Sequence, residues 1–297
     1  MSVSPDVFRS RGRPCSFTPD SGVKLIGEAL ESYARCGVRI PTNNRLELAR
    51  SLFTESQTKI DTSDQGFLSL LRDAHFTALE HYIISRALQP RPGPAGDLAR
   101  SKIGQALSGA PMECQDRNHL GRNTQFELFA GAILAMGDVR IEFGEPDLFF
   151  QYRGLQVGLA AKRAQNDEKL RKRAREAMKQ LKNTHFPGFV VLCLDRLSDP
   201  ESMSWAPQTQ EQPRDLETVL PVLRRIDAEI QTEPMVLGRL AFLRESVWNL
   251  QPGQVPSLVL GFRFHLRTFL SSDADNKTAY GVFGGMVERI NAQFSNL

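Results

Sequence analysis

The chain has 297 residues and a mass of 33.3 kDa, enough for one large domain or two ordinary ones. With 41% hydrophobic and 24% charged residues and a mean hydropathy of −0.31, neither a membrane-embedded nor a disordered chain fits. A formal net charge of only +3 excludes a uniformly basic surface, so any nucleic-acid footprint has to be local.

Residues 1–15 lack the apolar stretch of a secretory signal, and no apolar run reaches the length of a membrane span, so a cytoplasmic location is expected. Val23, Ile26, Leu30, Tyr33 and Ala34 recur at helical spacing, and Leu46, Ala49, Leu52 and Phe53 do so after the break at Gly37 and Pro41. A longer helix carries a wide apolar stripe through Phe67, Leu70, Leu71, Ala74, Ala78, Leu79, Tyr82 and Ile83, with Asp64 placed as its N-cap. The run Gln89-Pro90-Arg91-Pro92-Gly93-Pro94-Ala95-Gly96 cannot continue a helix, because each proline lacks an amide hydrogen and restricts the residue before it. It predicts a linker that closes a helical N-terminal region, residues 1–96.

The middle of the chain, residues 97–198, changes character. A short helix near Leu98 to Leu107 is followed by a strongly apolar one from Thr124 to Met136. Val139 to Phe143, Asp147 to Tyr152 and Leu155 to Lys162 are short β-rich segments separated by turns at Gly144 and Gly154. Asn166 to Asn183 returns to helical period, with Leu170, Ala174, Ala177, Met178 and Leu181 on one face. Phe189 to Leu194 is a continuous apolar strand of the kind buried on both sides of a mixed sheet. Residues 199–297 read as helices around Leu216 to Ile230 and Met235 to Leu250, a strand within Val255 to Phe269 and a last helix from Tyr280 to Phe294, packed on the core. The four cysteines, at 15, 36, 114 and 193, show no zinc-ligand spacing and read as buried or idle thiols.

Chemistry concentrates between Glu127 and Gln180. A glutamate sits in an apolar helix, an aspartate follows proline at a strand entry (Pro146-Asp147), and a lysine ends the next strand in Gly158-Leu159-Ala160-Ala161-Lys162. Hydrolysing a phosphodiester needs charge compensation and an activated water, and hard cations take oxygen ligands, so carboxylates must converge on one point. Strand alternation puts Gln156, Gly158, Ala160 and Lys162 on the face expected to carry a site, and Leu155, Val157, Leu159 and Ala161 on the core face. From Lys162 to Lys182 nine basic residues meet three acids, a local +6 that includes Arg163, Lys169, Lys172, Arg173 and Lys179. Such a stripe attracts phosphate backbones without reading sequence. Read singly, each residue has an ordinary explanation: a solvated helical glutamate, a Pro-Asp turn, a surface lysine, a helix face laced by pairs such as Glu168 with Lys172. Arg263, His265 and Arg267 alternate on one strand face and fit either a nucleic-acid contact or a solvated edge strand. His75, His81, His119, His185 and His265 read as structural, with His119 the one nearest the glutamate helix.

In order and element type, residues 119 to 196 resemble the PD-(D/E)xK nuclease superfamily, whose core is a helix, a three-stranded meander, a crossover helix and a further strand. The resemblance implies an α/β restriction-endonuclease-like fold, a mixed sheet flanked by helices. It implies Glu127 and Asp147 as ligands of Mg²⁺ or Mn²⁺, the Ala161 carbonyl as a backbone ligand, Lys162 as the residue that positions or activates water, and Gln180 as a site glutamine. It also implies a DNA substrate, with RNA the other choice, and a role in bacterial defence or restriction alongside a partner protein or a second copy of the chain. One position departs from the pattern: Ala160 stands where the family has a metal-binding acid, which implies weakened or absent cleavage. The alanine is either a deliberate inactivating substitution of an original acid or natural, in a pseudo-nuclease or in a member whose acid has moved to another element such as Glu142 or Glu145. The alternative reading is a non-catalytic nuclease-like module that holds nucleic acid or a partner protein.

Overall fold

The computed structural model describes residues 8–11, 15–58, 64–90, 92–109, 119–152, 154–164, 166–195, 216–249 and 257–294. Polar caps start four of the helices, Asp64 among them as expected. Thr18 and Ser21 form a reciprocal capping box at the start of α1 (Pro19–Arg35), and the Asn44 side chain accepts from the amides of Leu46 and Glu47 to open α2 (Arg45–Thr58). Asp64 accepts from Phe67 N–H at 3.0 Å at the head of α3 (Gln65–Ala87). The proline run ends α3, and Pro94 begins α4 (Pro94–Leu107), which leads to α5 (Leu120–Met136).

A meander follows, β3 (Ile141–Phe143), β4 (Leu148–Tyr152) and β5 (Leu155–Arg163). Next come α6 (Asp167–Thr184), capped by Asn166, then β6 (Gly188–Cys193), α7 (Leu216–Ile230), β7 (Val236–Asn249), β8 (Ser257–Thr268) and α8 (Asp273–Phe294). Two short N-terminal strands, β1 (Phe8–Arg11) and β2 (Cys15–Phe17), pair antiparallel with β8. The result is one eight-stranded mixed sheet in the order β1-β8-β7-β6-β5-β4-β3, with β2 also on β8. Strands β5, β6 and β7 run parallel, and α6 and α7 are their crossovers. One apolar layer packs the sheet against α1–α5 and α8; the other packs it against α6 and α7. This is a mixed α/β fold to which all three segments of the chain contribute strands.

The structure corrects two expectations. Met235 to Leu250 is the 14-residue strand β7, not a helix. Leu240, Ala241, Phe242 and Leu243 are all buried, so both faces are covered and no alternation marks the strand; its neighbours β6 and β8 satisfy its backbone on either side. β8 is not a solvated edge, because β1 and β2 cover it. His265 is buried beside Arg239, and Arg267 reaches Asp227, so these two residues of the alternating face have structural partners. The wholly buried Arg239 grips both Asp227 oxygens, at 2.5 and 2.9 Å, and ties α7 to β7. Cys193 is a free, buried thiol, raised above its ordinary pKa by burial first and then by Asp195; Cys36 is free and half-buried. Cys114 lies outside the described residues. Among the described residues no helix is long and apolar enough to cross a membrane.

Two histidines of α3 are buried in the first apolar layer. His75 packs edge-on against Phe53 and Trp248, and burial lowers its pKa from 6.5 to about 4; burial also lowers His81, whose ring meets the Tyr33 hydroxyl at 3.1 Å. Below pH 6.5 the unfolded chain takes up protons that the folded chain refuses, so stability falls with pH and the loss from His75 is complete near pH 4. Urea unfolding between pH 7 and pH 4 is expected to show a loss of roughly 3 kcal/mol from His75. The variant His75→Leu should show a shallower pH slope than the native chain.

Candidate active site

The site forms where the β4–β5 hairpin opens. β4 starts at Leu148, which pairs with Leu159, so beyond that point Ala161 N–H has no strand backbone to meet on the β4 side. The Asp147 carboxylate fills that role: its Oδ2 accepts from Ala161 N–H at 2.8 Å and from the Lys162 ammonium at 2.8 Å. Its Oδ1 accepts from the Gln180 amide of α6 at 2.8 Å. The same Gln180 amide donates to Glu145 Oε2 at 3.0 Å and to the Pro146 carbonyl. One buried carboxylate is thus held from β5 and α6 at once, and three donors to its two oxygens offset the cost of burying it.

Glu127 approaches from α5, on the other side of the sheet, with its side chain only 15% exposed. Burial first, and then the negative charge of Asp147, push its carboxyl above the ordinary range, while Lys102 and then Lys162 pull it back. Glu127, Glu145, Ala161, Lys162 and Gln180 line a single open cleft of about 420 Å³ between α5 and α6. Its other walls carry Arg163, Arg173 and Lys179 as cations, Glu176 as an acid, and Asn123 and Asn183. Glu142 does not reach it; this acid pairs with Arg140 on β3.

Four of the sequence-derived residues do not line the cleft: Asp147, buried behind it, Lys169, Lys172 and Ala160. Of these, Ala160 is the one set in the core. Its methyl group is wholly buried in the apolar layer with Leu170, Ala174, Ala177 and Leu181, and it does not line the cleft. β5 is covered on both faces here, so strand alternation does not separate a core face from a site face. The basic helix is also less uniformly charged than its sequence. Arg171 and Arg175 both bond Glu229 of α7, which lowers that acid's pKa, and Lys182 lies 3.6 Å from Glu233. Arg173 pairs with Glu176 at 2.6 Å on the cleft wall, and Lys169, Lys172 and Lys179 are solvent-exposed.

Sequence reasoning missed Lys102, Asn123 and Asn183. Asn123 precedes Glu127 by four residues and Asn183 follows Gln180 by three, spacings that share a helix face and could have been read. Nothing in the sequence marks Lys102, whose ammonium meets Glu127 Oε2 at 2.7 Å from a different helix. His119 stands at the N-cap of α5 and does not line the cleft.

Among the described residues no three acid, histidine or cysteine side chains cluster tightly enough to hold a metal ion. Mg²⁺ does not require that many, since it keeps several waters and binds through one or two carboxylates together with substrate phosphate. Glu127 lines the cleft, whereas Asp147 is buried and does not line it but acts on Glu127 through its charge; both carboxylates are oxygen donors of the kind a hard cation takes. No family model, curated protein or solved structure matches this chain.

Placing a glutamate at position 160 would force a longer, charged side chain into a filled apolar layer. Ala160→Glu is expected to cost about 2–4 kcal/mol in urea unfolding, through overpacking and desolvation together.

Proposed function

We propose that the cleft hydrolyses phosphodiester bonds of nucleic acid, DNA in the first instance, by a metal-dependent PD-(D/E)xK-type mechanism on a restriction-endonuclease-like core. The observation that carries this reading is the meeting of Glu127, Lys162 and Gln180 around the anchored Asp147, beside a wall bearing Arg163, Arg173 and Lys179. Three elements distant in sequence bring acid, amine and amide together, which single-residue explanations do not require.

Each residue has a role that follows from its chemistry. Arg173 and Lys179, on the exposed wall of α6, draw the phosphate backbone in by charge without reading bases. Lys162, fixed by Asp147, places a positive charge at the cleft floor, where it orients a water and stabilises the charge that builds on the phosphoryl oxygens. Gln180 holds the orientation of the Asp147 carboxylate. Glu127 and Asp147 would hold Mg²⁺ or Mn²⁺, which supplies Lewis-acid polarisation of the phosphoryl group when bound. Position 160 is buried away from the cleft and adds no ligand, which leaves Glu127 and Asp147 as a small acid set, so cleavage is slow and calls for millimolar metal. By the same resemblance the protein serves bacterial defence or restriction, with a partner protein or a second copy completing the active assembly.

A second reading is a binding module without chemistry. It draws on the fact that Glu127 and Asp147 each already have a lysine partner, at 2.7 and 2.8 Å. One assay separates the two: supercoiled plasmid, short duplex and single-stranded DNA, and RNA are incubated with the native chain and Mn²⁺. Hydrolysis is expected to yield DNA products, with a drop of at least 100-fold in Asp147→Asn and in Lys162→Met. Salt-dependent DNA binding with no cleavage at any metal concentration would establish the binding module instead.

A further inference from the structure

The pairing of Lys102 with Glu127 is set by how α4 lies on α5. Gln105 Oε1 accepts from Thr124 Oγ1 at 3.0 Å, and Lys102 meets Glu127 three residues further along each helix in opposite directions, so the two contacts are successive rungs of an antiparallel pair. Gly121 permits the close approach. A Cβ there would lie 2.6 Å from the Ser108 carbonyl and 3.0 Å from that of Gln105, too near for any other residue. Ile103, Ala106 and Leu107 are wholly buried, which fixes the rotation of α4 about its axis and with it the direction of Lys102. The Lys102 and Glu127 side chains are only 21% and 15% exposed, so water screens their attraction weakly.

We infer that Lys102 is a built-in counter-cation of the cleft, which competes with a divalent ion for Glu127 and holds the free protein in a metal-poor state. This rests on the reading of Glu127 as a cation-binding acid. A second amine, Lys162, already compensates Asp147, so the two carboxylates are neutralised without metal. An incoming ion has to displace one ammonium, and Lys102 is the one that belongs neither to β5 nor to α6, the elements that anchor Asp147. Metal uptake is then favoured only when a phosphate adds ligands and charge to the ion.

The test is isothermal titration of the full chain with Mn²⁺ alone, at neutral pH and without nucleic acid. Lys102→Met keeps the apolar stem and removes the charge, and it is expected to bind Mn²⁺ at least tenfold more tightly than the native chain, with Lys102→Arg unchanged. Lys102→Gln, which retains a hydrogen-bond donor for Glu127, serves the same purpose should the methionine variant fail to fold. Lys102 loses its role if both neutral variants bind no more tightly than the native protein while Glu127→Gln abolishes uptake. If Glu127→Gln leaves uptake unchanged, the cation-binding reading of the cleft itself is overturned.

Discussion

The cleft depends on one carboxylate that is bonded on both oxygens. Asp147 takes a backbone amide and an ammonium from β5 on one oxygen and an amide from α6 on the other. Charge-assisted bonds of this kind are short and directional, and losing one would leave a buried charge poorly satisfied. Asp147 therefore fixes the opening of the hairpin, the direction of Lys162 and the rotation of α6 together. For the hydrolysis proposed above, an acid whose neighbours are already in place needs little reorganisation.

The surrounding fold protects this arrangement by dividing its charges. Glu229 of α7 and Glu233 of the turn after it engage Arg171, Arg175 and Lys182 of α6. Arg173, paired with Glu176, and Lys179 stay on the cleft side, while Lys169 and Lys172 are exposed outside its lining. Below the sheet ends, a buried polar network joins Glu80, Arg244, Asp195 and Gln125, and Arg163 lines both this network and the cleft. The strand ends that carry the site are thereby braced from α3 and α5.

What the sequence disclosed follows from the range of the forces involved. Helix periods, the Asp64 cap, the proline break and the meander were legible because each is decided within a few residues. The residues of the cleft were legible as a set because helix, strand and lysine come in a recognisable order, although no single one of them signals a site. Strand β7 was not legible, because full burial removes the alternation that marks a strand, and β1 and β2 were not because their partner lies some 250 residues away. Ala160 was misplaced for a related reason: alternation assigns a face of the strand but cannot tell whether a helix covers it. Lys102 was invisible because its partner is chosen by helix packing, 25 residues along the chain.

The most direct measurement is diffraction from crystals grown with Mn²⁺ and a short DNA, using the anomalous signal of manganese. The account places an ion between the Glu127 and Asp147 carboxylates with a phosphate group against Lys162, and Lys102 withdrawn from Glu127. DNA lying in the cleft with no manganese beside either acid would contradict it, and so would an ion bound anywhere else on the molecule with the two lysine pairs still intact.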